Sequence, residues 1–310
     1  MRSGLVETIH EGAVAVVDPD GVLVARHGDI DRPFFLRSSA KPFQAHVSQQ
    51  AGADLSPLQL AMACASHRGF PVHIALVQSI LEGAGLDEDA LGCPPHWPLG
   101  SAAARIVLRG GAEEPRRIWH NCSGKHAGFL RACVAAGWPL GTYLESDHPL
   151  QQRVIDLVSE VGGYPAEPVG VDGCGAPVMR TTVRAMATMF ARLGTAAELA
   201  DVFTSMHRYP ALVAVNGQGD AEIAMATDSA AKGGAQGCVG VAVAGRYGVG
   251  VKSWDGSSRV ADLAAASVLE QLGVLSATGR EILEPIIHSP VLGGGRTVGR
   301  LEPSFELETV

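Results

Sequence analysis

Charge is scarce in this chain, and positive charge more so. Charged residues fill 18% of the 310 positions, and 24 Lys and Arg face 32 Asp and Glu, for a net charge of −8. No basic stretch is available to neutralise phosphates, which argues against a nucleic-acid partner. The same deficit argues against an anionic membrane surface. No apolar run approaches the roughly 20 residues of a membrane-spanning helix. The opening Met1-Arg2-Ser3-Gly4-Leu5-Val6-Glu7 lacks the pattern of a signal peptide, so the expected location is cytoplasmic. The six cysteines (Cys64, Cys93, Cys122, Cys133, Cys174, Cys238) are too scattered to suggest a disulfide framework, and buried free thiols are their ordinary reading. No internal repeat, low-complexity tract or linker stands out. What the chain has in plenty is apolar residues, 46%, and 38 glycines, the composition of a globular enzyme rather than of a disordered chain.

Short apolar runs at 13–18 and 21–26 flank Asp18-Pro19-Asp20-Gly21, the pattern of a β-hairpin. A helix is expected from Ser38 or Ser39 to about Ala51, with Pro42 in its first turn. Ser56-Pro57 opens another helix as cap and first residue. Further helices are expected over 71–83, from about Ala127, from Asp147-His148-Pro149, over 178–193, 196–208 and 258–272. Val169–Asp172 reads as a strand ending in a tight turn, and 237–244 and 248–254 as strands. Strands thus sit at both ends, residues 5–36 and 220–310, around a helix-rich middle, 37–219. That order favours an α+β fold, an antiparallel sheet flanked by helices, within a single domain over 1–310.

The most informative residues are Ser38-Ser39-Ala40-Lys41. They set a hydroxyl and an amine three residues apart, one helical turn, on one face. A serine hydroxyl is a poor nucleophile at neutral pH, and a lysine that has given up its proton can activate it. Lys232-Gly233-Gly234 adds a second lysine in a glycine-rich stretch near a strand. S-x-x-K with K-T-G marks serine acyl-transfer enzymes of the penicillin-binding type, although here the threonine is a glycine. Alone, S-x-x-K is weak, because Ser38 or Ser39 could equally cap the helix and Lys41 could be a solvated first-turn residue. Ser66, just past a helix end beside His67 and Arg68, is a second serine for proton relay with Lys232, or a capping hydroxyl.

Cys122-x-x-Lys125 and Cys174 form a different group. Two thiolates suit zinc or another thiophilic metal. A lysine ligand is unusual because its amine must be neutral, and His120 and His126 would be more ordinary donors. Local packing of the cysteines, or a Cys174 nucleophile lowered by Lys125, are the competing readings. Asp172 could orient a substrate or simply form the Asp172-Gly173 turn. Arg37 could hold a carboxylate by two parallel hydrogen bonds, or lie in solvent.

Taken together, Arg37-Ser38-Ser39-Ala40-Lys41-Pro42, Cys64-Ala65-Ser66-His67, Asn121-Cys122-Ser123-Gly124-Lys125-His126, Asp147-His148-Pro149, Asp172-Gly173-Cys174 and Lys232 resemble, in order and spacing, the rhizobial-type L-asparaginase II family. The resemblance implies hydrolysis of L-asparagine to L-aspartate and ammonia on a fold like that of serine β-lactamases, penicillin-binding proteins and serine-dependent glutaminases. It implies that Ser38, the nucleophile, pairs with Lys41, and Ser66 with Lys232. It places zinc on Cys122, Lys125 and Cys174, sets Arg37, His126 and Asp172 near the substrate, and implies a homodimer. Two segments depart from the pattern: Arg68-Gly69-Phe70-Pro71 where a more polar stretch is expected, and Gly-Gly-Ala-Gln after Lys232 where an acidic residue is usual. A β-lactamase-like acyl-transferase or peptidase is the rival enzyme, weakened by the missing signal peptide and Ser-Asp-Asn element. A non-catalytic zinc module is the rival outside enzymes.

Overall fold

The computed structural model describes residues 1–214 and 219–310, so residues 215–218 of the expected helix-rich middle lie outside the described residues. The chain divides into two compact units. One comprises Met1–Ser39, Thr181–Ala197 and Gly217–Val310, the other Ala40–Arg180 and Glu198–Asn216.

The first unit is built on an antiparallel sheet. Its strands are β1 (Gly12–Val17), β2 (Leu23–His27), β3 (Ser229–Gly234), β4 (Cys238–Val243), β5 (Tyr247–Ser253) and β6 (Glu308–Thr309), in the spatial order β6-β2-β1-β5-β4-β3. The expected hairpin forms: β1 pairs with β2, and the turn closes with Asp18 N–H donating to Val22 O at 2.9 Å. Gly21 supplies the left-handed turn residue at φ +84. Alternation along β1 sends Val14 and Val16 to one face and Ala13, Ala15 and Val17 to the other. The first face packs on the apolar stripe Ala261, Ala265, Val268 and Leu269 of the Ser258–Gln271 helix. The second packs on Val183, Ala187 and Ala191 of the Val183–Leu193 helix.

The two faces differ in kind. A Cβ at Gly248 would lie 2.0 Å from Ala187 O, and one at Gly250 would lie 2.4 Å from Val183 O. The glycines of β5 therefore let helix backbone rest directly on sheet backbone, while Val249 and Val251 between them fill the opposite core. The mixed α and antiparallel-β architecture is as expected. The expected helix over 178–193 is shorter: Pro177–Val178 and Arg180–Thr181 are extended, and Thr182 caps the helix by accepting from Ala185 N–H. The Ala277–Ile287 helix and the hairpin of Pro290–Gly293 with Arg296–Arg300 are additional elements.

The second unit is helical. Its Pro57–Cys64 helix starts as expected, with Ser56 and Gln59 forming a capping box. The Pro71–Glu82, Pro149–Gly162 and Ala200–Arg208 helices also lie close to expectation. The first helix, Lys41–Ser48, carries Pro at its start and ends in a wide turn over Gln49–Ala53. The Ser123–Ala136 helix begins four residues before its expected start, so Lys125 and His126 sit on a buried helix and not in a loop. Among the described residues, no helix is long and apolar enough to cross a membrane.

Candidate functional site

In the helical unit the centre of the site is a buried amine. Lys41 is 1% exposed at the first position of its helix. Its Nζ donates to Ala65 O at 2.6 Å, Ser66 Oγ at 3.0 Å and Asn121 O at 3.5 Å. Burying an amine is costly unless its hydrogens are matched, and these three oxygens supply the match. The Pro57–Cys64 helix ends because Ala65 turns extended, which turns Ser66 out of the helical path. Ser66 N–H then bonds Val213 O, and His67 N–H bonds Asn121 O. One lysine thereby ties together a helix start, the Ser66 loop and the Asn121 turn.

His67 braces that loop. It is fully buried, and its Nδ1 accepts from Gly69 N–H at 3.1 Å. The ring proton therefore resides on Nε2, which donates to Ser123 Oγ at 2.7 Å, and Ser123 in turn donates to Ile118 O. Burial first, then the neighbouring His73 and Lys41 charges, hold the ring well below the usual histidine value, so it is neutral at physiological pH.

The structure brings Cys122, Lys125 and Cys174 together in the same unit, all three buried. Lys125 Nζ donates to Cys174 Sγ at 3.1 Å. A hydrogen bond with Cys174 holds the Cys122 thiol well below its ordinary value against the cost of burial. Burial pulls the Lys125 amine down, but the Cys174 and Cys122 charges more than offset this and leave it raised. Cys174 itself sits in a turn closed by Gly175 N–H donating to Asp172 O, and its Sγ lies 3.8 Å from Asp172 Oδ2. His126 is adjacent. Tyr143 accepts from Gly92 N–H, so its own proton goes to His126 Nδ1 at 2.7 Å and the imidazole proton lies on Nε2. Among the described residues that buried Nε2 has no nitrogen or oxygen partner, and the Cys174 thiol acts on the ring. Burial pulls the His126 ring to about 4, against an opposing pull from Cys174. Among the described residues no three His, Cys, Asp or Glu side chains gather as a ready metal cage, so a metal on the two thiols would need the Lys125 amine as a third donor. The buried dithiol and the converging amine fit a thiophilic cation.

The sheet-bearing unit holds the remaining residues. Arg37 opens a short 3-10 turn, Arg37–Ala40, in a left-handed conformation at φ +53. Backbone held in that region by a non-glycine residue costs energy and marks sites of function more often than of packing. Ser38 is half-buried, whereas Ser39 is fully buried and donates to Leu36 O at 2.6 Å. The choice between the two serines therefore falls on Ser38. Neither caps the helix, whose N-cap is Ala40. Lys232, 1% exposed on β3, donates to Asp220 Oδ2 at 2.8 Å and to Gly233 O at 2.8 Å. Burial pushes the Asp220 carboxyl up, but the Lys232 charge more than offsets it and leaves it below the usual value. Asp262, on the Ser258–Gln271 helix, is pushed up to about 7 by burial and then by Asp220, with Lys232 pulling the other way. Sequence reasoning missed Asp220 and Asp262. Asp220 lies 12 residues before its partner and in no motif. The His67–Ser123 and His126–Tyr143 contacts were equally invisible, because each joins residues from separate segments.

Among curated proteins no sequence match was found. Among solved structures the chain is similar to Mglu in its native form, at 19% identity over 85% of this chain and 64% of that one, with a TM-score of 0.47. It is also similar to a probable glutaminase, ybaS, at 18% identity over 85% and 86% of the two chains, TM-score 0.45. A Bacillus glutaminase matches at 12% identity over 85% and 91%, TM-score 0.37. The chain spans about 64% of the length of the Mglu structure. The sequence itself is more decisive. The family model for L-asparaginase II matches residues 1–303, nearly the whole chain and every motif discussed above. This chain belongs to the L-asparaginase II family.

Proposed function

We propose that this protein is an amidohydrolase that converts L-asparagine to L-aspartate and ammonia through a serine activated by lysine. The observation that carries the reading is Lys41, a buried amine bonded to the Ser66 hydroxyl and to two backbone carbonyls. In its neutral form such an amine keeps two N–H bonds, which Ala65 O and Asn121 O can accept, and one lone pair able to take a hydroxyl proton.

In this reading Lys41 takes the proton of Ser38, and Ser38 Oγ forms a bond to the side-chain amide carbon. Backbone N–H groups at a helix start favour the negative charge on the carbonyl oxygen. The proton taken by Lys41 returns through Ser66, with Lys232 supporting the relay, to the departing nitrogen. The C–N bond breaks and ammonia leaves. Water then adds to the ester carbon, its proton returns to Ser38, and aspartate is released. Arg37, His126 and Asp172 hold the substrate's charged ends.

Zinc on Cys122, Lys125 and Cys174 is part of the same proposal. Bound there, it would supply charge and rigidity around the pocket rather than a nucleophile. Lys125 would have to lose its proton on binding, which makes uptake pH-dependent. A homodimer in the cytoplasm completes the proposal.

The test is ammonia release by the purified protein from asparagine, glutamine and other small amides. Ser38→Ala should lower kcat at least about a thousandfold with the fold intact. Near-full activity in that variant, or a covalent adduct with a β-lactam and no ammonia from any amide, would overturn the reading.

A further inference from the structure

Lys232 is held by a carboxylate that no motif announces. Asp220 Oδ2 accepts from Lys232 Nζ at 2.8 Å and also from Gly233 N–H at 2.7 Å. One oxygen thus grips both the amine and the backbone beside it. The other oxygen fills the space next to the strand: a Cβ on Gly233 would lie 2.8 Å from Asp220 Oδ1 and 3.3 Å from its Cγ. This is the position where a K-T-G element carries threonine, and here the carboxylate occupies that volume. Asp262 stands behind. Its carboxyl takes a backbone hydrogen bond from Gly219, so close that a Cβ at Gly219 would lie 2.1 Å from Asp262 Cγ. The charged groups acting on Asp262 are Asp220 and Lys232.

We infer that Asp220 is a positioning residue for Lys232, aiming its amine from the side where a threonine would otherwise stand. The inference rests on the proposed role of Lys232 in the proton relay. A lysine stem has four rotatable bonds and no preferred direction, so an amine that must meet a leaving nitrogen needs an external guide. The Asp220 carboxylate provides it and fixes β3 at the same point.

Asp220→Asn, Asp220→Glu, Lys232→Met and the double variant Asp220→Asn/Lys232→Met test this by asparagine hydrolysis with the full chain. Asp220→Asn should lower kcat by about 100-fold, the scale of a misplaced proton-transfer group, with KM changed less than about threefold. The double variant should be no slower than Lys232→Met, because Asp220 acts only through Lys232. Asp220→Glu should recover at least tenfold of the loss. Effects that multiply in the double variant, or wild-type kcat in Asp220→Asn, would overturn the inference. If Asp220→Asn fails to fold, Asp220→Glu carries the test, and an unchanged kcat with a rise in KM would sink it. Full activity in Lys232→Met would instead remove Lys232 from the relay, and the inference with it. A wild-type protein inert towards every amide would refute the amidohydrolase reading first.

Discussion

Asp262 offers a prediction that needs no knowledge of substrate. Its carboxyl is pushed up to about 7 from an ordinary 3.8, chiefly by burial and secondly by the Asp220 charge. A group raised in the folded state favours folding when protonated, so its contribution is complete below about pH 4. It is lost as pH rises through 7. At 1.36 kcal/mol per pH unit between the two values, ionising Asp262 costs the fold about 4 kcal/mol. Sharing of charge with Asp220 and Lys232 spreads the titration, so the expected effect is of order 2–4 kcal/mol. Asp262→Asn keeps an acceptor for the Gly219 N–H but cannot ionise. It should match wild type near pH 4 and exceed it by about 2–4 kcal/mol at pH 8. Urea unfolding at pH 4, 5, 6, 7 and 8, with a reductant present to protect the six free cysteines, measures the difference. Carboxylates other than Asp220, which is coupled to Asp262, cancel in the comparison. A stability difference flat between pH 4 and pH 8 would refute the argument, and so would a variant that loses ground as pH rises.

Two further predictions concern packing and metal. Gly248→Ala should destabilise the protein by about 1–3 kcal/mol, because its Cβ meets the Ala187 carbonyl at 2.0 Å. A melting temperature equal to that of wild type would contradict the direct backbone contact. Cys122→Ser and Cys174→Ser should each weaken zinc retention by at least about tenfold, and zinc affinity should rise with pH because Lys125 must give up a proton. Metal analysis after dialysis at pH 6 and pH 8 reads both effects, and a pH-independent zinc content would count against lysine as a donor.

Much of the fold could be read from the residues. The hairpin was marked by Asp18-Pro19-Asp20-Gly21, and the Pro57–Cys64 helix by Ser56-Pro57, since both are local signals that need no tertiary partner. The extended residues ahead of Val183 were missed because Val178, Met179 and Val183 keep an apolar pattern while Thr182 supplies the cap. The early start of the Ser123–Ala136 helix was missed for the opposite reason, since Cys122 gives no side-chain cap to announce it. For the site, residue types were legible and partners only in part. Cys122, Lys125 and Cys174 do converge. Lys41 was read towards Ser38 by spacing, but its bond to Ser66 depends on where the chain leaves the Pro57–Cys64 helix, a distance of 25 residues. The Lys232–Asp220 pair is likewise a product of how the Gly219–Ala226 helix packs against β3.

The bare side of β5 restricts how this scaffold can vary. With Gly248 and Gly250 pressed against the carbonyls of Ala187 and Val183, there is no room for even a methyl group on that flank. Substitutions meant to make the protein hardier therefore belong on the valine side or on the outer helices. Any enlargement of those two residues would have to be accompanied by withdrawal of the whole Val183–Leu193 rod from the sheet.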